Sequence, residues 1–188
     1  PVRDLKIPDN LPKQKRKAAS MQDIETVKKS LNQPFGLYFY MAMYTGLRKG
    51  ELLALDWSDI DFDRREISVT KSLYHIGNSP HIKPPKTEES VGAVPILDAL
   101  LPVLTERRKK RGLVFPDPAT GKYITAKRYE TLTRQYYDNT GVTSTAHQFR
   151  HAYATMLFDA NVPPEKMQVL LRHAQLSTTM DVYTELRS

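Results

Sequence analysis

The run Pro34–Leu47, PFGLYFYMAMYTGL, is apolar nearly all round. A helix with no polar face has to be enclosed by its own domain, so the stretch predicts a buried central helix. Pro34 suits its first position, where a missing N–H costs nothing. The longest apolar run, Phe35–Tyr44, is about half of the ~20 residues that a membrane span needs. The chain has 188 residues, 40% of them hydrophobic, enough for one folded domain with a core. The start, PVRDLKIPDN, shows no signal-peptide pattern. There is no cysteine, which excludes disulfides, iron–sulfur clusters and cysteine zinc sites and fits a reducing cytoplasm.

The formal charge is +7, and residues 1–19 supply +4 of it through six Lys/Arg against two Asp. With Pro1, Pro8, Pro12 and the run KQKRK, they read as an extended basic linker. Residues 20–188 are read as the folded domain. Ser20 looks like an N-cap with Asp23 at the capping-box position, opening a helix to about Leu31. After the buried helix, RKGELLALDWSDIDF reads as a short helix and a turn. EISVTKSL, PHIKP and GAVPI predict a small three-stranded antiparallel sheet. ILDALLPVLTERRKK is predicted helical despite Pro102. TAKRYETLTRQYYD predicts a helix ending near Gly141, and Pro163 and Pro164 open another over PPEKMQVLLRH. A short segment, Ser177–Leu186, closes the chain. The class is α+β: mainly helical, with one small sheet.

TAHQFRHAYAT, Thr145–Thr155, carries the chemistry. At about 100° per residue, Phe149, Ala152, Tyr153, Met156 and Leu157 form a core stripe, and His147, Arg150 and His151 fall together away from it. A solvated helix face usually carries Lys and Glu, so this cluster suggests a metal site, an acid/base pair or an anion clamp. His147 and His151 have the four-residue spacing of helical zinc proteases. That motif needs Glu after the first His and here has Gln148, and Arg150 would stand beside the cation, so no metal is expected. Other candidates have ordinary readings when taken singly. Arg48 and Glu51, one turn apart, could be a surface ion pair. Lys86, like its neighbour Lys83, could be a solvated hairpin lysine. His173 could be a surface histidine, and Tyr183 a packing aromatic.

Their order is more specific than any one of them. Arg48 in T-G-L-R-x-G-E, Lys86 in K-T-x-x-S, His147 and Arg150 in H-x-x-R-H, His173 after L-x, and Tyr183 in T-T-x-x-x-Y together resemble the tyrosine recombinases, or phage integrases. The resemblance runs from about Ser20 to Leu186, covers the family's catalytic domain, and is nearest in style to integrases of prophages and conjugative transposons. The family's usual N-terminal DNA-gripping domain is not expected within this chain. One position departs: the family usually has Gly just before the second histidine, where it would suit a left-handed helix end, and here stands Arg172.

The resemblance implies cutting and rejoining of double-stranded DNA with no metal or nucleotide cofactor. Arg48 and Arg150 would clamp the non-bridging phosphate oxygens, which planar and permanently charged guanidiniums match. Tyr183 would be the nucleophile, giving a 3′-phosphotyrosine ester that a DNA 5′-hydroxyl can reverse. Lys86 would protonate the leaving 5′-oxygen. His147 would accept the tyrosine proton and His173 would donate to the phosphate. Glu51 would brace Arg48, and His151 would support the site. The family works as a tetramer on two duplexes through a Holliday junction. A homotetramer at synapsis is therefore expected, with a monomer for this chain alone. An excision-directionality factor is a further expected partner. The expected place of work is on DNA in a bacterial cytoplasm, with no membrane involved. Two alternatives stand beside the integrase reading: a type IB topoisomerase-like relaxing enzyme, and a catalytically inactive DNA-binding regulator.

Overall fold

The computed structural model describes residues 18–84, 92–173 and 175–187, with side chains throughout except at Tyr183 and residues 185–187. The linker assigned to residues 1–19 therefore lies, apart from Ala18 and Ala19, outside the described residues, and so does Lys86.

Helix α1 (Met21–Lys29) is capped by Ser20, whose hydroxyl accepts from the Asp23 amide at 3.0 Å. The Asp23 carboxylate, expected to complete a capping box, turns elsewhere. It accepts from the Ser144 amide (2.9 Å) and hydroxyl (2.5 Å), tying α1 to the turn before a distant helix. Burial would raise this carboxyl, but the donors around it outweigh that and hold it below its ordinary value.

Helix α2 (Gly36–Thr45) is the enclosed centre that its composition demands, with Tyr38, Phe39, Met41 and Ala42 wholly buried. It starts two residues later than the proline suggests. Phe35 adopts left-handed backbone (φ 67°) and stacks on Tyr38, ring centroids 4.4 Å apart. Aromatic stacking of this kind is worth about 0.5–1.5 kcal/mol beyond area burial, which offsets much of the backbone cost. Phe39 continues the cluster onto Tyr136 at 4.4 Å.

Helix α3 (Lys49–Ala54) leads through one 3₁₀ turn into β1 (Ile60–Asp61), which pairs with β2 (Glu66–Val69); β2 pairs in turn with β5 (Gly92–Pro95), all antiparallel. The expected three strands are thus distributed differently. β3 (Ser72–Ile76) and β4 (Ser79–Lys83) form a hairpin of their own, and the third strand of the sheet is the short β1. The two-residue turn Gly77–Asn78, with Gly77 at φ 56°, has glycine where a tight hairpin turn needs positive φ. That closes β3 on β4 locally.

Helix α4 (Leu101–Arg107) is shorter than predicted because Pro102 fits only the first turn of a helix. Helices α5 (Ala126–Thr140), α6 (Ala146–Asp159), α7 (Pro164–Leu171) and α8 (Leu176–Arg187) complete the chain. α6 packs along α2, and α7 and α8 close over its far side through Tyr153, Ala154, Leu157, Met167, Leu171 and Val182. Met156, expected in the core stripe of α6, is 37% exposed. It lies with Met21 and Met43 in a shallow apolar groove, because α1 leaves that side of α6 only partly covered. No helix of the described residues is long and apolar enough to cross a membrane.

Candidate active site

Three helix ends meet beside α6. The C-terminus of α2 stops at Gly46, the C-terminus of α7 stops at Arg172, and α3 begins after Arg48. Gly46 has φ 59°, and a Cβ there would lie 2.4 Å from the Tyr153 ring. The left-handed residue turns the chain sharply, so that the Gly46 carbonyl faces α6 and Arg48 follows within two residues. Gly46→Ala is expected to lower stability by about 3 kcal/mol, from left-handed backbone strain plus overpacking. The check is a lower urea midpoint with an unchanged slope.

Arg150 is only 6% exposed, while His147 on the same side of α6 is exposed and His151 half-buried. Its guanidinium donates through Nη1 to the Gly46 carbonyl and through Nη2 to the Leu171 carbonyl. Burial, with Arg48 and Arg172 nearby, draws its pKa down to about 9, so it stays cationic at neutral pH. Arg48 donates through Nη2 to the Arg172 carbonyl at 2.9 Å, while its side chain remains 45% exposed. Both guanidiniums thus cap the last carbonyls of α7. The partial negative charge of that helix end offsets part of their mutual repulsion.

Glu51 does more than brace Arg48. Its Oε1 accepts from Arg48 Nη1 at 2.9 Å, and its Oε2 accepts from the Arg48 amide at 2.6 Å and from Arg172 Nη2 at 2.5 Å. Burial would raise this carboxyl; Arg172 first, then the Arg48 amide and guanidinium, outweigh it and hold it low. Its stabilising contribution is therefore fully present above the carboxyl's ordinary pKa. It is lost as acid takes the pH down through the depressed folded value.

The departure at position 172 resolves into two parts. The backbone keeps the left-handed end (φ 49°, ψ 51°) that glycine would favour. The Arg172 side chain turns inward, with the residue 3% exposed, and pairs with Glu51.

His147, Arg150, His151 and His173 line one cleft together with Ala154, Leu171 and Val182. Its free volume is about 30 Å³, room for one or two waters. The His147 and His151 rings meet edge to face, 5.2 Å apart, so His151 shares the cleft wall. His173 Nδ1 lies 2.9 Å from the hydroxyl of Thr179, a fully buried residue of α8. That contact orients the imidazole. In the sequence Thr179 stands out only as part of the T-T-x-x-x-Y spacing. Position 183 follows it by one turn of α8 and adjoins Val182. Lys83, the rival of Lys86, ends β4 with its Nζ 5.0 Å from the Tyr74 ring centroid. Among the described residues no three His, Asp or Glu side chains gather as a metal site would require.

Residues 16–188 match the phage integrase family. A XerC-like tyrosine recombinase of Caldanaerobacter subterraneus subsp. tengcongensis is 31% identical over 195 residues, covering 89% of this chain and 50% of the relative. The ICEBs1 integrase of Bacillus subtilis is 30% identical over 165 residues, covering 81% and 45%. The chain therefore spans about half the length of the curated relatives it matches. Among solved structures, the Tn1549 transposon integrase in complex with circular intermediate DNA aligns with a TM-score of 0.76 at 22% identity, over 96% of this chain and 67% of that one. The catalytic domain of bacteriophage HP1 integrase aligns with a TM-score of 0.62 at 20% identity, over 90% and 88%. Such structural likeness establishes the fold, a helical domain with a small antiparallel sheet, as expected. With its fold and its sequence in agreement over nearly its whole length, this chain belongs to the phage integrase family.

Proposed function

We propose that this chain is the catalytic part of a site-specific DNA recombinase that integrates and excises a mobile element, with residues 20–188 as the catalytic domain and the first 19 as a linker. The observation that carries the reading is the convergence of Arg48 and Arg150 on the end of α7, beside a cleft walled by His147 and His173. Two forks held by backbone carbonyls are preorganised for the charge that gathers on a phosphodiester under attack. The Tyr183 oxygen attacks phosphorus, giving its proton to His147. The bond from phosphorus to the 5′-oxygen breaks, and that oxygen takes a proton from Lys86. The products are a 3′-phosphotyrosine ester and a DNA 5′-hydroxyl, and attack by a 5′-hydroxyl on the ester restores the tyrosine. His173 donates to a non-bridging oxygen, and Glu51 fixes Arg48. The working assembly is a homotetramer on two duplexes, joined by a directionality factor for excision.

A nicked suicide duplex tests this. Its short cleaved strand diffuses away, and the enzyme remains trapped as an adduct that survives denaturation. Adduct formation is expected to persist in excess EDTA, because two arginines already neutralise the phosphate. No adduct on any duplex carrying the element's ends would favour the DNA-binding regulator instead. Loss on chelation, restored by a divalent ion, would revive a metal role for His147 and His151.

A further inference from the structure

We infer that Arg172 is a positioning residue that sets how much of the Arg48 charge reaches the substrate phosphate, by taking up part of the charge of Glu51. The inference rests on the recombinase reading and concerns a residue outside the six assigned to its chemistry.

Glu51 is the one carboxylate in direct contact with Arg48 among the described residues. Were it paired with Arg48 alone, the two charges would largely cancel, and the guanidinium would offer a phosphate a dipole more than a cation. Arg172 changes that balance. Its Nη2 holds Glu51 Oε2 at 2.5 Å inside the protein, where the Arg172 side chain is 1% exposed and water screens little. Arg48 keeps a single 2.9 Å side-chain contact to Oε1, with its guanidinium still reaching solvent. One carboxylate is therefore shared by two guanidiniums, and the trio carries net positive charge, with Arg48 its solvent-reaching member. The Arg172 carbonyl also accepts from Arg48 Nη2, so the same residue orients Arg48 through its backbone. The stem of Arg172 lies across Gly92 at the start of β5, where an added Cβ would stand 3.7 Å from its Cδ.

The conformation makes the device costly to keep. Arginine at φ 49° is strained where glycine is at ease, so Arg172→Gly relieves the backbone while deleting the charge. A side chain that merely filled space would lower stability on that exchange without changing the charge beside Arg48.

The test is single-turnover cleavage of the nicked suicide duplex by the parent chain, R172G, R172K and R172G/E51Q. R172G is expected to fold with lowered stability, since relief of the backbone offsets only part of the loss of a buried partner for Glu51, so the rates are compared at a temperature where both chains are folded. At saturating DNA R172G should cleave about tenfold more slowly, with half-saturation changed by less than about threefold. R172K should recover part of that loss, and removing the now uncompensated carboxylate in R172G/E51Q should recover part of it too. An R172G rate equal to the parent's, or a double variant slower than R172G, would overturn the inference and leave the recombinase reading standing. A parent chain that forms no adduct would sink the recombinase reading instead. The charge coupling has its own readout without DNA. The Glu51 carboxyl carbon, followed by NMR, should titrate at higher pH in R172G, since Arg172 then no longer favours the carboxylate beside Arg48 and Arg150. An unmoved titration would show that Arg172 does not take up that charge, and would overturn the inference whatever the catalysis.

Discussion

Tyr183→Phe is expected to bind duplex DNA like the parent chain and to form no covalent adduct on the suicide substrate, with any residual signal below detection. The change removes one oxygen and keeps the ring, so the packing of α8 should survive it. The structure disqualifies the obvious substitutes. Tyr136 and Tyr153 are wholly buried in the core, and burial pushes the Tyr136 phenol up to about 12. Tyr137 gives its hydroxyl to the Ser144 carbonyl at 3.2 Å, and burial pushes its phenol likewise up to about 12. A phenol that resists ionisation and faces its own core is a poor nucleophile toward DNA. Position 183 lies in α8 one turn beyond Thr179, which holds His173 beside the cleft. An adduct of normal yield in the phenylalanine variant would place the nucleophile elsewhere. Peptide mapping of that adduct would then name it.

The order of the motifs was legible in the chain because each sits at an element end. T-G-L-R marks a helix that has to stop, and H-x-x-R puts His147 and Arg150 on one side of a helix at fixed spacing. What lay beyond reach was contact between distant segments. Glu51 and Arg172 stand 121 positions apart, and no local pattern announces their pairing. Seen in sequence, an arginine in place of glycine looks like trouble for a left-handed turn; in three dimensions the turn is kept and the side chain pairs with Glu51. Arg150 shows the same limit. Helical projection separated it from the apolar stripe correctly, but it could not tell that Arg150 is buried while His147 on the same side is exposed. Met156 errs in the opposite direction, since periodicity assumes that the whole stripe is covered and α6 is bare on one side near its end. The sheet was misallotted because β-rich composition does not say which strand pairs with which. The Gly77–Asn78 turn was the available signal that β3 closes on β4.

Replacing the bridging 5′-oxygen with sulfur should separate the proton donor from the anion clamp. An alkoxide is a poor leaving group, so Lys86→Ala is expected to slow cleavage of ordinary DNA by about 10² to 10⁴-fold. A thiolate leaves without a proton, and the same variant should be largely restored on the 5′-thio duplex. Lys83→Ala should weaken binding alone, and equally on both substrates, because its amine is engaged over the Tyr74 ring at 5.0 Å. Arg150 supplies the contrast. Its truncation to alanine would strand the Gly46 and Leu171 carbonyls in the interior, so Arg150→Lys is the sounder variant, keeping a charge while losing the fork. Arg150→Lys should be slow by about 10² to 10³-fold on either substrate, since sulfur at the bridging position does nothing for the non-bridging oxygens. A Lys86→Ala enzyme equally crippled with sulfur would make that lysine a clamp or a structural residue. The acid would then have to be sought among His147, His151 and His173, which already share the cleft.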